Sequence, residues 1–307
     1  MGQLIKLENY VSRYEQDMFH YPAQYVRLKR TNWDKLKYDW ENKQAPIMIE
    51  TEESLAANEV KAKRWTRFFN RSSTEEEDGT VDINNHNLPQ TEVQLKQFFL
   101  DSLLQFQLKW ASTTMREMSF IDQQYQHNLV LKYFLQRFPD TYLFMYNPVF
   151  KLKKASIDTD IIMITPVEIY VIKLLELPSS QVIIAGDERT WFTEDQNVRS
   201  KLLSPLLSLK RTYKVIQSVL NHAELDIPVH RVVLSRTNQI DFNIEPYQTQ
   251  FIDRDRHEAW LTKQRQFISP LKHKQLKVAE ALVACSDTLS VSRPEWERQD
   301  NENFNFE

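Results

Sequence analysis

The stretch from Ile157 to Phe192 reads IDTDIIMITPVEIYVIKLLELPSSQVIIAGDERTWF, and it decides the fold. Two short apolar runs, Ile161–Ile164 and Ile169–Ile172, are rich in β-branched residues and are separated by Thr165-Pro166. Runs of this length bounded by a turn signal predict buried strands. A third, QVIIAG, follows at Gln181–Gly186. Asp160 opens the first strand and Lys173 closes the second, so a reversal at Pro166 pairs the Asp160 end with the Lys173 end. Side chains two apart on a strand share a face. Asp158 and Asp160 are therefore expected on one face of the first strand, about 6–7 Å apart along it. Lys173 and Leu175 share a face of the second strand. Glu176, an odd number of residues from Lys173, points the other way.

Working outward, TYLFMYNPVFKL precedes this stretch as strand, and VHRVVLS follows as strand. Between them, SPLLSLKRTYKVIQSVLNHAEL predicts a helix with Pro205 in its first turn. VQLKQFFLDSLLQFQLKWA and DQQYQHNLVLKYFLQRF predict two helices upstream, the second stopping at Pro139. DRHEAWLTKQRQFIS and LKHKQLKVAEALVACSD predict two more downstream. Helix, strands, helix and strand in this order predict an α/β fold, a mixed sheet flanked by helices.

Four regions follow. Residues 1–70 predict an N-terminal helical region, with Pro22 breaking its first helix and TEESLAANEVKAKRWTRFF starting another. Residues 71–90 are polar and acidic and predict a flexible linker, because they cannot bury enough apolar surface to order themselves. Residues 91–290 hold the α/β domain with its C-terminal helices, and residues 291–307 form a polar tail. Within the first region Arg27, Lys29, Arg30, Lys35 and Lys37 interleave with Trp33 and Tyr38. That pattern suits nucleic-acid binding, and it equally suits an amphipathic helix that buries its aromatics and keeps its lysines in water.

Composition removes whole classes of function. The chain of 307 residues has only three glycines, Gly2, Gly79 and Gly186, where about 7% is usual. Glycine-rich phosphate loops need close backbone approach, so a P-loop or a dinucleotide fingerprint is excluded. The net charge of −3 gives no global attraction to nucleic acid, so any such contact needs a local basic patch. The single cysteine, Cys285, excludes an internal disulfide and fits a reducing compartment. No apolar run approaches the ~20 residues of a membrane span, and the first residues lack the apolar core of a signal peptide. The expected location is cytoplasmic. No pair among the seven histidines has zinc-ligand spacing, and no serine sits in a Gly-x-Ser-x-Gly elbow.

An acid at one strand end and a lysine at the next is the layout that metal-assisted phosphodiester cleavage uses. A divalent cation needs at least two hard oxygen ligands, and a nearby lysine stabilises charge that develops on the phosphoryl oxygens. DIIMITPVEIYVIKLLE, the later Trp191 and the helix starting at Ser204-Pro205 resemble the nuclease-related domain family of bacterial proteins, within the restriction-endonuclease-like superfamily. The resemblance runs from about Gln123 to Ser235. It implies a restriction-endonuclease-like sheet. It also implies an Asp opening one strand, a Thr-Pro or Ser-Pro turn, a following strand ending in Glu-x-Lys, a helix opening Asn-Pro-x-x-Gln, and a Glu on an earlier helix. Asp160 falls on the Asp and Thr165-Pro166 on the turn. The expected Glu is Lys173, the expected Lys is Leu175, and Asn-Pro-x-x-Gln is Ser204-Pro205-Leu206-Leu207-Ser208. The early Glu falls near Asn128.

The catalytic candidates are therefore Asp160 and Lys173, and the metal candidates Asp160 and Asp158. Glu168, Asp187 and Glu188 reach the site only if their loops fold back. One carboxylate and a lysine make a poor magnesium site and a ready salt bridge. The expected function is that of a nuclease-related pseudoenzyme, acting by binding nucleic acid or a protein partner, with no cofactor. An active enzyme with a rearranged site would be a metal-dependent nuclease using Mg²⁺. A protein-interaction scaffold using the N-terminal helices is the third reading. Lys151, Lys153, Lys154, Lys210, Arg211 and Lys214 are the expected nucleic-acid contacts.

Overall fold

The computed structural model describes residues 1–42, 89–152 and 155–293. The helix expected from Thr51, nearly all of the expected linker, Lys153, Lys154 and the tail from residue 294 lie outside the described residues.

Along the chain the elements are β1 (Gln3–Leu7), a 3-10 turn at Arg13–Glu15, α1 (Tyr21–Glu41), α2 (Glu92–Trp110), β2 (Glu117–Met118), α3 (Gln124–His127), α4 (Leu129–Arg137), β3 (Leu143–Tyr146), β4 (Val149–Leu152), β5 (Ala155–Asp158), β6 (Ile161–Ile164), β7 (Ile169–Leu174), β8 (Val182–Ile184), β9 (Thr190–Asp195), β10 (Val198–Leu203), α5 (Leu206–His222), β11 (Val229–Leu234), β12 (Ile240–Asp241), β13 (Thr249–Ile252), α6 (Arg254–Gln266), α7 (His273–Ala284) and β14 (Val291–Ser292). They form two compact units, one of Met1–Tyr25 with Leu104–Glu307 and one of Val26–Leu103.

The first unit is built on a mixed six-stranded sheet in the order β1-β3-β6-β7-β11-β13. β6 runs antiparallel to β3 and β7, while β1, β11 and β13 each run parallel to a neighbour. The apolar runs of the deciding stretch sit at the centre: β6 and Ile169–Ile172 of β7 are buried throughout. Each such side chain contributes roughly 1.5–3 kcal/mol on leaving water. Thr165 shapes the reversal between these strands. Its hydroxyl donates to the Glu168 carbonyl at 2.8 Å and accepts from the Glu168 N–H at 3.1 Å.

Helices cover both faces. α5 lies against β7 and β11, with α7 beside it. Gln275 of α7 donates to the Ile164 carbonyl at 3.1 Å. On the other face α4 lies against β3. Phe138, just past α4, meets Trp260 of α6 edge-on at 5.7 Å, and Gln264 of α6 donates to the Tyr170 hydroxyl. Among the described residues no helix is long and apolar enough to cross a membrane.

Several expectations are corrected. The N-terminal region carries the helix α1 as expected, but it opens with a strand: Gln3–Leu7 is the buried outermost strand of the central sheet. Lys6 points inward there and is held by Glu15 and the Thr288 hydroxyl, an inward charge of the kind that guards edge strands. Pro22 starts α1 instead of breaking it, because its missing N–H falls in a first turn where no helical partner exists. The helix expected over Asp122–Phe138 is two, α3 and α4. Asn128 interrupts it with an extended ψ of 107° and caps α4 by accepting from the Leu131 N–H. TYLFMYNPVFKL is likewise two strands, broken where Asn147 turns to φ 47°.

A smaller sheet, β10-β9-β8-β12, lies outside the central one. QVIIAG supplies β8 as expected. The β9–β10 hairpin was not foreseen, although Gln196 and Asn197 take φ 48° and 67° between paired Asp195 and Val198, the backbone of a primed two-residue turn. Trp191 on β9 is fully buried against Phe251.

The second unit answers the basic-aromatic question within itself. Trp33 packs on Phe99 at 5.3 Å, and the Trp40 indole donates to the Pro89 carbonyl at 2.6 Å. Leu28, Leu36 and Leu95 are buried, and Lys37 pairs with Glu41 one turn on. This is the amphipathic alternative: aromatics serve helix packing, and Tyr38 alone of the three rings named here is exposed.

Candidate functional site

β7 runs antiparallel to β6 with Ile172 opposite Ile161, which sets Lys173 opposite Asp160 on one face of the sheet. The Lys173 Nζ lies 3.0 Å from Asp160 Oδ1. Asp160 is 5% exposed and the lysine side chain 41%. The second carboxylate oxygen accepts a hydrogen bond from the Thr212 hydroxyl of α5 at 3.1 Å, and the same hydroxyl accepts from the Asp160 N–H at 3.0 Å. A buried carboxylate is thus bonded at both oxygens, and it ties the helix to the start of the central strand β6. The sequence indicated the Asp160–Lys173 pairing. Thr212 carried no signal, since a threonine within a helix reads only as a surface or packing residue.

Asp158 is not where a continuous strand would put it. β5 pairs with β4, not with the central sheet, and ends at Asp158, opposite Val149. Thr159 then bends the chain by bonding the Pro148 carbonyl through both its N–H and its hydroxyl. β6 begins only at Ile161. Asp158 is exposed on a hairpin while Asp160 is buried at the sheet, so the expected shared face is broken by that bend.

The other carboxylates have separate employment. Glu168 sits at the opposite end of β7, accepts from the Tyr170 hydroxyl at 2.6 Å and pairs with His230 at 3.1 Å. Asp187 accepts from the N–H groups of Arg189 and Thr190 in its own loop, which holds its carboxyl below the usual range. Glu188 does fold back, but onto Lys210 of α5 at 3.0 Å, not onto Asp160. Glu176, two residues past the end of β7, forms a two-pronged pair with Arg236 on the side of α4, the opposite side expected from its odd spacing. The Arg236 guanidinium lies over the Tyr133 ring at 4.5 Å. The Tyr133 hydroxyl meets His257 Nε2 at 2.7 Å. Burial raises the Tyr133 hydroxyl and lowers the His257 imidazole from their ordinary values.

A magnesium ion needs more than this donor set offers. Asp160 Oδ1 holds an ammonium, Oδ2 holds a hydroxyl, and the position two residues beyond Lys173 on its face is Leu175. Among the described residues no group of three or more His, Cys, Asp or Glu side chains is placed to hold a metal ion. The residues present do not fit the group, because the Lys173 ammonium already occupies the buried carboxylate of this site.

Beside this pair lies an open groove of about 450 Å³, lined by Ile157 of β5 and by Leu207, Lys210, Arg211, Lys214 and Val215 of α5. Three of the expected cationic contacts therefore converge on one wall. Helical spacing explains it: Lys210 and Lys214 are one turn apart, with Arg211 between them. Thr212 and Val215 face inward from the same helix. Lys151 is exposed on the neighbouring β4 and is not part of that lining.

Residues 118–235 match the family model for the nuclease-related domain. The match takes in Asp160, Lys173, Thr212 and the whole basic groove, and it ends at Ser235, just beyond β11. A 41-residue stretch is 51% identical to the RNA 2',3'-cyclic phosphodiesterase of Geobacillus stearothermophilus. It covers 13% of this chain and 13% of that protein, so the chain spans about an eighth of that relative's length. No solved structure matches the chain. The matched segment holds β3, β6, β7 and β11 of the central sheet; within it Asp160 and Thr165-Pro166 stand where the resemblance implies an acid and a turn, and Lys173 where it implies a second acid.

Proposed function

We propose that the nuclease-related segment acts as a nucleic-acid-binding module and does not perform metal-dependent cleavage at Asp160. The observation that carries this reading is the occupancy of Asp160. Both oxygens are bonded within the protein, one of them to a lysine at 3.0 Å. An ammonium on a carboxylate satisfies it as a metal would, but supplies no Lewis acid and no metal-bound water. The binding half rests on Lys210, Arg211 and Lys214 along one groove wall. Such cations bind phosphates by releasing condensed counterions, so the interaction is sequence-tolerant and weakens steeply with salt. Among the described residues the groove lining contains no aromatic side chain, so base stacking is not part of the reading. The name of the relative matched over 41 residues makes RNA one of the probes, beside DNA.

The test is fluorescence anisotropy with short DNA and RNA, single- and double-stranded, across a salt series. The expected result is binding with a log–log salt slope of about 2–3, three phosphate contacts at ~0.9 each. The Lys210→Gln, Arg211→Gln, Lys214→Gln triple variant is expected to lose at least about tenfold in affinity and most of that slope. Binding independent of salt, or unchanged in the triple variant, would overturn the groove assignment.

A further inference from the structure

We propose that Glu188 is a built-in anion that holds Lys210 of the basic groove in the free protein and must be displaced from it when a phosphate enters. This rests on the groove being the nucleic-acid surface, and it adds a regulation that the groove alone does not imply. Glu188 lies in the loop between β8 and β9, outside the central sheet, yet both of its carboxylate oxygens accept from Lys210 Nζ, at 3.0 and 3.2 Å. Among the described residues Arg211 and Lys214 make no ion pair, so the carboxylate is seated on one of three neighbouring cations and leaves the other two open.

The loop that carries Glu188 is held in one shape. It contains one of only three glycines in the chain. At Gly186 a Cβ would come within 2.2 Å of the Thr190 carbonyl oxygen, so a side chain there forces the loop open. Asp187 closes the same turn through the N–H groups of Arg189 and Thr190, at 2.8 and 2.6 Å. Ser204, two residues before the start of α5, donates its N–H to the Arg189 carbonyl at 3.0 Å, which ties the loop to the start of the groove helix. Glu188 itself is 73% exposed on its side chain and makes no other bond among the described residues. A carboxylate held that way costs little to move, as a gate requires, yet it stands where a phosphate oxygen would stand.

The experiment compares full-length wild type with Glu188→Gln, Lys210→Gln and the Glu188→Gln/Lys210→Gln double variant. It uses the same DNA and RNA probes at low salt, with Glu194→Gln as a control. Glu194 is exposed on β9 and carries the same charge without touching the groove cations. Glu188→Gln is expected to bind about threefold more tightly than wild type, Glu194→Gln to gain less than half as much, and the gain to vanish in the Lys210→Gln background. Wild-type binding that Glu188→Gln leaves unchanged would overturn the gate and leave the groove standing. A gain that persists without Lys210 would also overturn it, as a general charge effect. No binding by wild type or by Glu188→Gln would overturn both the gate and the nucleic-acid reading.

Discussion

The two faces of the sheet at one end of its central strands use the same chemistry to opposite ends. On the α5 face a carboxylate meets a lysine at 3.0 Å beside an open basic groove. On the α4–α6 face Glu176 meets Arg236, and that pair is roofed by Tyr133 and His257. On the first face the acid is buried, its lysine reaches toward solvent, and cations continue along the helix. On the second both partners are about a quarter exposed, at 23% and 22%, and each polar atom named here ends on another within the protein. The difference teaches that a charged pair at a strand end does not mark a binding site. What sets the first face apart is the charge of Arg211 and Lys214 next to the pair, unpaired among the described residues, on which the proposed binding surface rests.

The largest expected effect lies on the first face. Asp160→Ala leaves the Thr212 hydroxyl without its acceptor and removes the anchor between α5 and the sheet. It is expected to cost about 2–3 kcal/mol of stability, read by urea unfolding. A loss well under 1 kcal/mol would mean that the carboxylate is kept for chemistry instead of structure. On the second face Arg236→Met keeps the stem over Tyr133 but removes the charge from a half-buried pair. About 1–2 kcal/mol is expected, because solvent screens the remaining Glu176. If that variant proves the more damaging of the two, the ranking of the faces is reversed.

The smallest effect is a pH dependence. Burial holds His257 below its ordinary value in the folded protein. The unfolded chain then binds the proton more readily, so this contribution is intact above about pH 6.5 and is lost as the pH falls through that value toward the folded one. His257→Gln is expected to flatten the stability curve between pH 7 and 5, measured by thermal unfolding. An unchanged curve would assign the slope to other groups.

Much of this was legible in the sequence. The β-branched runs around Thr165-Pro166 specified the central antiparallel pair, and parity alone put Lys173 and Glu176 on opposite faces. Helical spacing put Lys210 and Lys214 on one wall. What was hidden depends on contacts between distant residues. Gln3–Leu7 is too short a run to announce that it pairs with β3, more than 130 residues on. Asp158 left the expected face because Thr159 bonds back to Pro148, a bend that residue types do not reveal. Thr212 and Glu188 owe their roles to α5 lying where it does, and no local pattern encodes that.

The central claim is that a nuclease-related sheet has kept its binding surface while a lysine holds the place of a cation at Asp160. It is tested most directly by incubating the full chain with single- and double-stranded DNA and RNA in Mg²⁺ or Mn²⁺, beside Asp160→Ala. Retention of the probe in a salt-sensitive complex, with no cleavage above the Asp160→Ala background, is the predicted result. Cleavage that requires both the metal and Asp160 would contradict it.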